Sequence, residues 1–363
     1  MSHTHSLPEG WKVEEWNKVL EIRSGRDYKH VENPNGKYPI IGSAGKTMGF
    51  ADDYICEAGT TIVGRKGNIN SPMFIEERFW NVDTAFGLHV FDSLFNRYLY
   101  YFCLSFNFTE LDRGSGRPSL VKSDLKKVLI PIPPLEEQKQ IVAILDDAFA
   151  AIEQAQANIE KNIENAKELF QSKLNDIFSQ KGEGWEEKVW DDVLEIRSGR
   201  NQKQVLNSEG KYPILGSAGK VMGYADDFIC EEYTTIVGRK GTINNPMLIK
   251  EKFWNVDTAF GLHAKDGLNK LYLFYFCRSF DFEKMDRGSG RPSLVKSDLL
   301  KIKMPVPSLE NQQKIIKQLE TLHDEITSAQ ELYKKKLTNL EDLKQSLLEQ
   351  AFAGKLTHKD MPA

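Results

Sequence analysis

The chain contains itself twice. Shifting it by 174 positions lays Trp11 on Trp185, Arg26 on Arg200, Cys56 on Cys230, Arg113 on Arg287 and Pro131 on Pro305, with no gap between them. FWNVDTAFGLH at Phe79–His89 returns unchanged at Phe253–His263, and DRGSGRPSLVKSDL at Asp112–Leu125 returns unchanged at Asp286–Leu299. A period of this size lies far above the ~20–50 residues of solenoid units, so the repeated object is a whole domain-sized module. Whatever fold serves one half of the 363 residues must serve the other.

Each module has two parts. Residues 1–134 and 185–308 are rich in aromatics, glycine and β-branched residues, and Thr60–Val63 and Thr234–Val237 read as short strands bounded by turns. Tyr98–Phe106 and Tyr272–Phe280 are apolar enough for buried helices or strands, and the pattern does not decide between them. These parts are expected to be mixed α+β domains. The second parts, 135–184 and 309–363, follow the proline-rich lead-ins IPIPPLEEQ (Ile130–Gln138) and MPVPSLENQ (Met304–Gln312). Proline forbids helix until it has passed, and the first-turn glutamate suits a helix N-terminus.

Apolar residues then recur at spacings of three and four, at Ile141, Leu145, Ala148, Ile152, Ala155, Ile159, Ile163, Ala166 and Phe170. The matching run is Ile315, Leu319, Leu322, Ile326, Ala329, Tyr333, Leu337, Leu340 and Leu343. This is a coiled-coil seam on helices of roughly 65 Å, and a lone helix with such a stripe must bury it. The obvious partner for each helix is its own copy. A pseudo-twofold relation makes the pair antiparallel, with the domains at opposite ends. KGEGW at Lys181–Trp185 is the natural break after the first helix.

The formal charge of −4 and pI near 6.1 do not by themselves point to nucleic acid. Divided along the repeat, residues 11–134 carry +1 and 185–308 carry +2, whereas 135–184 carry −5 and 309–363 carry −1. The acidity belongs to the helical parts. No run of 18 apolar residues exists, and MSHTHSLPEG lacks the apolar core of a secretory signal, so a cytoplasmic protein is expected. Cys56, Cys103, Cys230 and Cys277 form no CxxC pair and read as reduced, buried thiols. No metal site is expected; His3 and His5 in the N-terminal segment are too weak a signal for one.

Enzyme signatures fail on inspection. GSAGKT at Gly42–Thr47 resembles the tail of a phosphate-binding loop, but that pattern needs glycine where Ile40 stands. GSGRPS at Gly114–Ser119 lacks the third glycine of a dinucleotide fingerprint. The NPPY-type tetrapeptide of amino-methyltransferases is missing, and NNPM at Asn244–Met247 is not one. His89 and His263 lie inside an aromatic strand and read as packed side chains.

What repeats most faithfully is basic, polar and flanked by glycine. IVGRKG at Ile62–Gly67 and Ile236–Gly241 sets arginine and lysine on a tight turn after a strand. Arg65 and Arg239 suit the two acceptors of a guanine edge, and Lys66 and Lys240 suit phosphates. The second motif adds Arg113, Arg117, Ser119 and Lys122, with Arg287, Arg291, Ser293 and Lys296, on a flexible loop before a helix. Lys46 and Lys220 on the GSAGK turn and Asn70 and Asn244 beyond GRKG complete the candidate DNA-binding set. The competing view is that these arginines pair with nearby acids such as Asp112 and Asp124 in a structural network.

From about Trp11 to Thr357 the chain resembles the specificity subunit of type I restriction–modification systems. The resemblance rests on the two-copy layout, IVGRKG, NVDTAFGLH, GSGRPSLVKSDL, the two proline lead-ins and SLLEQAFAGKLT at Ser346–Thr357. It implies target recognition domains over 1–134 and 185–308, and spacer helices over 135–184 and 309–363. It further implies a chain without catalytic residues that binds double-stranded DNA, two methyltransferase subunits and two restriction subunits. S-adenosylmethionine, ATP and Mg2+ then belong to those partners, with no cofactor on this chain. The resemblance also implies that the target adenine is flipped into the methyltransferase, because its N6 is inaccessible within the stack. The second lead-in departs from the first, with Ser308 and Asn311 where Pro134 and Glu137 stand, which questions strict equivalence of the partner contacts.

Two recognition domains that are near-copies related by a twofold should read the same half-sequence on opposite strands, giving a palindromic or nearly palindromic target. The copies differ at 26–35 against 200–209, Asn68 against Thr242, Ser71 against Asn245, and 90–97 against 264–271. Wherever such a difference touches a base, the halves diverge. Two other classes fit the layout: a coiled-coil scaffold that reads no sequence, and the DNA-targeting module of a single-chain restriction enzyme.

Overall fold

The computed structural model describes residues 7–357 except Ala44, Lys181, Glu183 and Ala218; His3 and His5 lie outside the described residues. Two compact units form, and they do not follow chain order. One takes the chain up to Ile159 together with the segment from Lys335 on, and the other is Glu160–Lys334.

The first unit runs β1 (Lys12–Glu15), α1 (Trp16–Val19), β2 (Leu20–Ser24), β3 (Tyr38–Ile41), β4 (Thr47–Ala51), β5 (Thr60–Gly64), β6 (Met73–Ile75), β7 (Trp80–Asn81) and β8 (Ala85–Val90). It continues through α2 (Asn96–Ser105), α3 (Lys122–Leu125) and β9 (Leu129–Ile132) into α4 (Leu135–Ser179), which extends into the second unit. The second unit repeats the order as β10 (Glu186–Val189), α5 (Trp190–Val193), β11 (Leu194–Ser198), β12 (Tyr212–Leu215), β13 (Val221–Ala225), β14 (Thr234–Gly238), β15 (Met247–Ile249), β16 (Trp254–Asn255) and β17 (Ala259–Ala264). Then come α6 (Lys270–Ser279), α7 (Lys296–Leu299), β18 (Lys303–Val306) and α8 (Leu309–Phe352), whose later half returns to the first unit.

In the first unit the antiparallel sheet β2-β8-β5-β6 lies beside a mixed sheet, β4-β3-β7, in which β3 pairs parallel to β7. All five residues of β5 are buried, because the strand sits between β8 and β6. That is why TTIVG shows no polar alternation. The strand β1 pairs with β9, so the two ends of the domain are tied together just before α4 begins. The second unit has the same sheets in the same order.

The ambiguous aromatic stretches are helices. α2 buries Tyr98, Leu99, Tyr101, Phe102 and Cys103, a three-to-four spacing that a strand cannot turn to one side. Its Phe102 lies edge-on to Trp16, with centroids 6.3 Å apart, and the Tyr98 hydroxyl donates to the Pro131 carbonyl at 2.9 Å. The four cysteines are buried and unbridged, and burial pushes the Cys56 thiol up to about 12.

Gln138 fastens the first domain to α4. Its Oε1 accepts from the Phe95 amide at 2.7 Å, and its Nε2 donates to the carbonyls of Ser93 and Pro133. Gln312 makes the equivalent bonds with Asn269, Gly267 and Pro307. In the first unit the helix segments run antiparallel, since Glu137 accepts from Thr357 whereas Gln156 pairs with Glu341 and Lys344. Phe352 at the end of α8 packs on Tyr98 and Phe102; in the second unit Phe178, at the end of α4, packs on Tyr272 and Phe276. Each domain is thus clasped by the start of one long helix and the end of the other.

The seam is largely as the spacing predicts, with Ile141, Leu145, Ile152, Ile159, Phe170 and Leu319 buried. Leu343 is an exception at 45% exposure. Leu343 follows Leu340 by a second step of three where the seam calls for four, so it falls one position, about 100° of helix rotation, short of it. Lys344 lies there instead, its ammonium 5.7 Å from the Phe149 ring. No helix among the described residues is long and apolar enough to cross a membrane.

Candidate nucleic-acid interface

The GRKG turn follows directly from β5. Past Gly64 the Arg65 and Lys66 amides both donate to the Thr84 carbonyl, at 2.7 and 3.3 Å, which bends the chain back over the start of β8. Gly67 closes the turn at φ +84°, a conformation that glycine adopts without strain. Its amide donates to the Pro118 carbonyl at 2.8 Å, and Leu120 donates to the Arg65 carbonyl at 2.8 Å. Lys66 and Ser119 form an antiparallel bridge. The two basic motifs, about fifty residues apart in sequence, therefore share one short ribbon.

The second motif is more closely bonded than its glycines imply. Asp112 Oδ1 accepts from the amides of Gly114 at 2.8 Å and Ser119 at 2.7 Å, while the Arg113 amide donates to the Ser119 carbonyl. The loop is a closed turn wound on one carboxylate. Those main-chain bonds, Ser119 first, hold the Asp112 carboxyl below the usual carboxylate range.

Arg65 lies with its guanidinium carbon 5.8 Å from the Phe86 ring centroid, and its Nη1 donates to the Asp83 carbonyl at 3.3 Å. Arg117 lies across Gly67, with Nη2 2.9 Å from where a Cβ would stand there, so the glycine makes room for the guanidinium. Lys46 is exposed on the β3–β4 turn, which Met73 contacts at Gly45, and this ties that turn to the far end of the β5–β6 connection. Among the described residues Lys46, Arg65, Lys66, Arg117 and Lys122 make no ion pair.

Two members of the candidate set are held by scaffold contacts. Arg113 Nε pairs with Asp124 Oδ2 at 2.9 Å, and Arg287 pairs with Asp298 at 3.2 Å, as the competing structural view expects of these two arginines. Asn70 Oδ1 caps the Phe108 amide at 2.8 Å and Asn244 Oδ1 caps Phe282 at 2.9 Å, so both hold the turn before the 112–119 and 286–293 loops. The sequence reading missed Asp112 and Asp286 as organisers. An aspartate two residues before a glycine, each time inside a Gly-rich loop, is the turn signal that marks them.

The second unit repeats this geometry almost atom for atom. Arg239 donates to the Asp257 carbonyl at 3.2 Å and lies 5.9 Å from the Phe260 ring; Lys240 bridges to Ser293; Gly241, at φ +87°, lies under Arg291. A hollow of about 410 Å3 lies between Arg239, Phe260, Ser293 and Lys296. Lys220 is exposed on the matching turn. Such a surface offers cations without carboxylate partners beside hydroxyl and main-chain groups, which suits a polyanion more than a small neutral ligand. His89 and His263 stay away from it. Burial lowers both to about 4, so they are neutral at physiological pH.

Known proteins resemble the chain along nearly its whole length. The family model described as "Type I restriction modification DNA specificity domain" matches residues 8–165 and again 182–338. The MjaVIII specificity subunit of a type I restriction enzyme from Methanocaldococcus jannaschii is 25% identical, covering 99% of this chain and 96% of that one. The EcoprrI specificity subunit from Escherichia coli is 24% identical over 90% of this chain and 92% of its own length. Among solved structures, a chain from work on complex assembly and conformational transition of the type I R–M system superposes with a TM-score of 0.82 at 17% identity, covering 97% of this chain and all of that one. The HsdS subunit from Thermoanaerobacter tengcongensis superposes at 0.63 and 18% identity, over 98% and 99%. The two structures share the fold. The chain belongs to the family of type I restriction–modification DNA specificity domains, carries two copies in tandem, and serves DNA recognition rather than catalysis.

Proposed function

We propose that the chain reads a bipartite double-stranded DNA target, one half-site for each module, and presents it to adenine-N6 methyltransferase subunits and, in a complete system, to restriction subunits. The bridge between Lys66 and Ser119, repeated between Lys240 and Ser293, carries the reading, because it gathers unpaired cations from two distant motifs identically in both units. In this reading Arg65 and Arg239 meet base edges. Lys46, Lys66, Arg117 and Lys122 meet phosphates, with Lys220, Lys240, Arg291 and Lys296 as their counterparts. Ser119 and Ser293 add hydroxyl contacts. Arg113, Arg287, Asn70 and Asn244 act chiefly by shaping the loops.

The domain boundaries follow the recognition surfaces, 1–134 and 185–308, with the segments 135–184 and 309–363, which hold the two long helices, as spacers. Two copies of one surface read the same half-sequence, so the target is palindromic or nearly so, around a central spacer that is not read. Sequencing the methylated adenines in a host that carries this chain with its methyltransferase tests the proposal. A motif of two like half-sites is expected, and two unrelated half-sites would overturn it. S-adenosylmethionine, ATP and Mg2+ are assigned to the partner subunits, and the cytoplasm is where such a system meets its DNA.

A further inference from the structure

The loops gathered at the basic surface, 42–43, 45–46, 64–73, 81–87 and 112–122, match their counterparts residue for residue except at two positions. These are Asn68 against Thr242 and Ser71 against Asn245. The two differences are not independent. In the first unit the Ser71 hydroxyl donates to Asn68 Oδ1 at 3.0 Å, and both residues are exposed beside Arg65 and Lys66 on the β5–β6 connection. In the second unit Thr242 and Asn245 occupy the same exposed places, and no hydrogen bond joins their side chains among the described residues. Everything that shapes the turn is shared: the bonds to Thr84 and Thr258, the bonds to Pro118 and Pro292, and Gly67 and Gly241 in the left-handed region.

We infer that Asn68, oriented by Ser71, and Thr242 are the specificity-determining pair at which the two half-sites differ. This rests on the reading of the loops as a DNA surface. With Oδ1 turned toward Ser71, the amide presents its free NH2 and the remaining lone pair of Oδ1 together. That donor–acceptor pair fits the N7 and N6 edge of adenine in the major groove. Thr242 offers one hydroxyl, which donates or accepts with several bases, beside a methyl group. The first module therefore demands adenine at one position. The second tolerates more than one base at the matching position, and every other position is read alike.

The test is sequencing of methylated adenines in a host that expresses the full chain with its methyltransferase partner, for the wild type and two exchanges. The exchange Asn68→Thr with Ser71→Asn gives the first module the second module's residues; Thr242→Asn with Asn245→Ser does the reverse. Each exchange installs a turn that the other module already carries, so both variants fold. The wild-type motif is expected to be symmetric except for one strict and one relaxed base. The first exchange relaxes the strict position, about tenfold or more in relative occupancy, and the second makes the relaxed position strict. An asymmetric motif that neither exchange moves overturns this inference alone, as does a wild-type motif that is already fully symmetric. Two unrelated half-sites, or no motif, remove the shared-surface reading and this inference with it.

Discussion

Arg65 is held at both ends of its guanidinium surface, by the Phe86 face and by the Asp83 carbonyl, and still has donors left for a ligand. A side chain steadied in this way loses little freedom on binding, so Arg65→Ala should cost about 1–3 kcal/mol at one base position and relax discrimination there. Competition binding of the assembled methyltransferase complex to single-base variants measures it. Lys122, half-buried at the first turn of α3 and without an ion pair among the described residues, contrasts with it. Lys122→Ala should weaken all duplexes alike and lower the slope of log affinity against log salt by about one. Asp112 works through the main chain. Asp112→Ala releases the Gly114 and Ser119 amides and should accelerate their hydrogen exchange at neutral pH. Because its carboxyl is held below the ordinary range, its stabilising contribution is complete above that range. The contribution is lost only as pH falls through the lowered value, so wild type and variant should converge in strong acid.

Among the elements, the long helices were the most legible, because a three-four stripe without glycine or proline over some forty-five residues has one reading. The stripe placed Ile141 and Leu145 in the core and failed at Leu343, where Lys344 instead sets its ammonium over the Phe149 ring. The aromatic stretch around Tyr101 was ambiguous because nearly every residue is apolar, and only its neighbours, Trp16, Phe108 and Phe149, determine which faces are covered. Gln138 was invisible as a fastener, because a glutamine in a helix's first turn is ordinarily exposed. Gln138→Leu leaves the Phe95 amide and the carbonyls of Ser93 and Pro133 without their partner. It should cost about 1–3 kcal/mol for each group left buried and unpaired, read by urea unfolding.

For the whole molecule, bulk charge does not favour DNA, since −4 is spread as weakly basic domains on acidic helices. The isolated chain should bind duplex weakly at moderate salt, and the complex with its methyltransferase should bind tightly, with affinity falling steeply as salt rises; fluorescence anisotropy over a salt series separates the two. The duplication, the helical stripes, the absence of enzyme motifs and the two basic motifs were all readable from residue order, because each depends on local spacing or exact repetition. Residue order did not show that GRKG and GSGRPS form one ribbon through Lys66 and Ser119. Nor did it show that Arg113 is tied to Asp124 while Arg117 is not, or that each domain takes the start of one helix and the end of the other. Those are long-range pairings set by sheet register and core packing, and a one-residue change of register would have turned the same motifs away from each other.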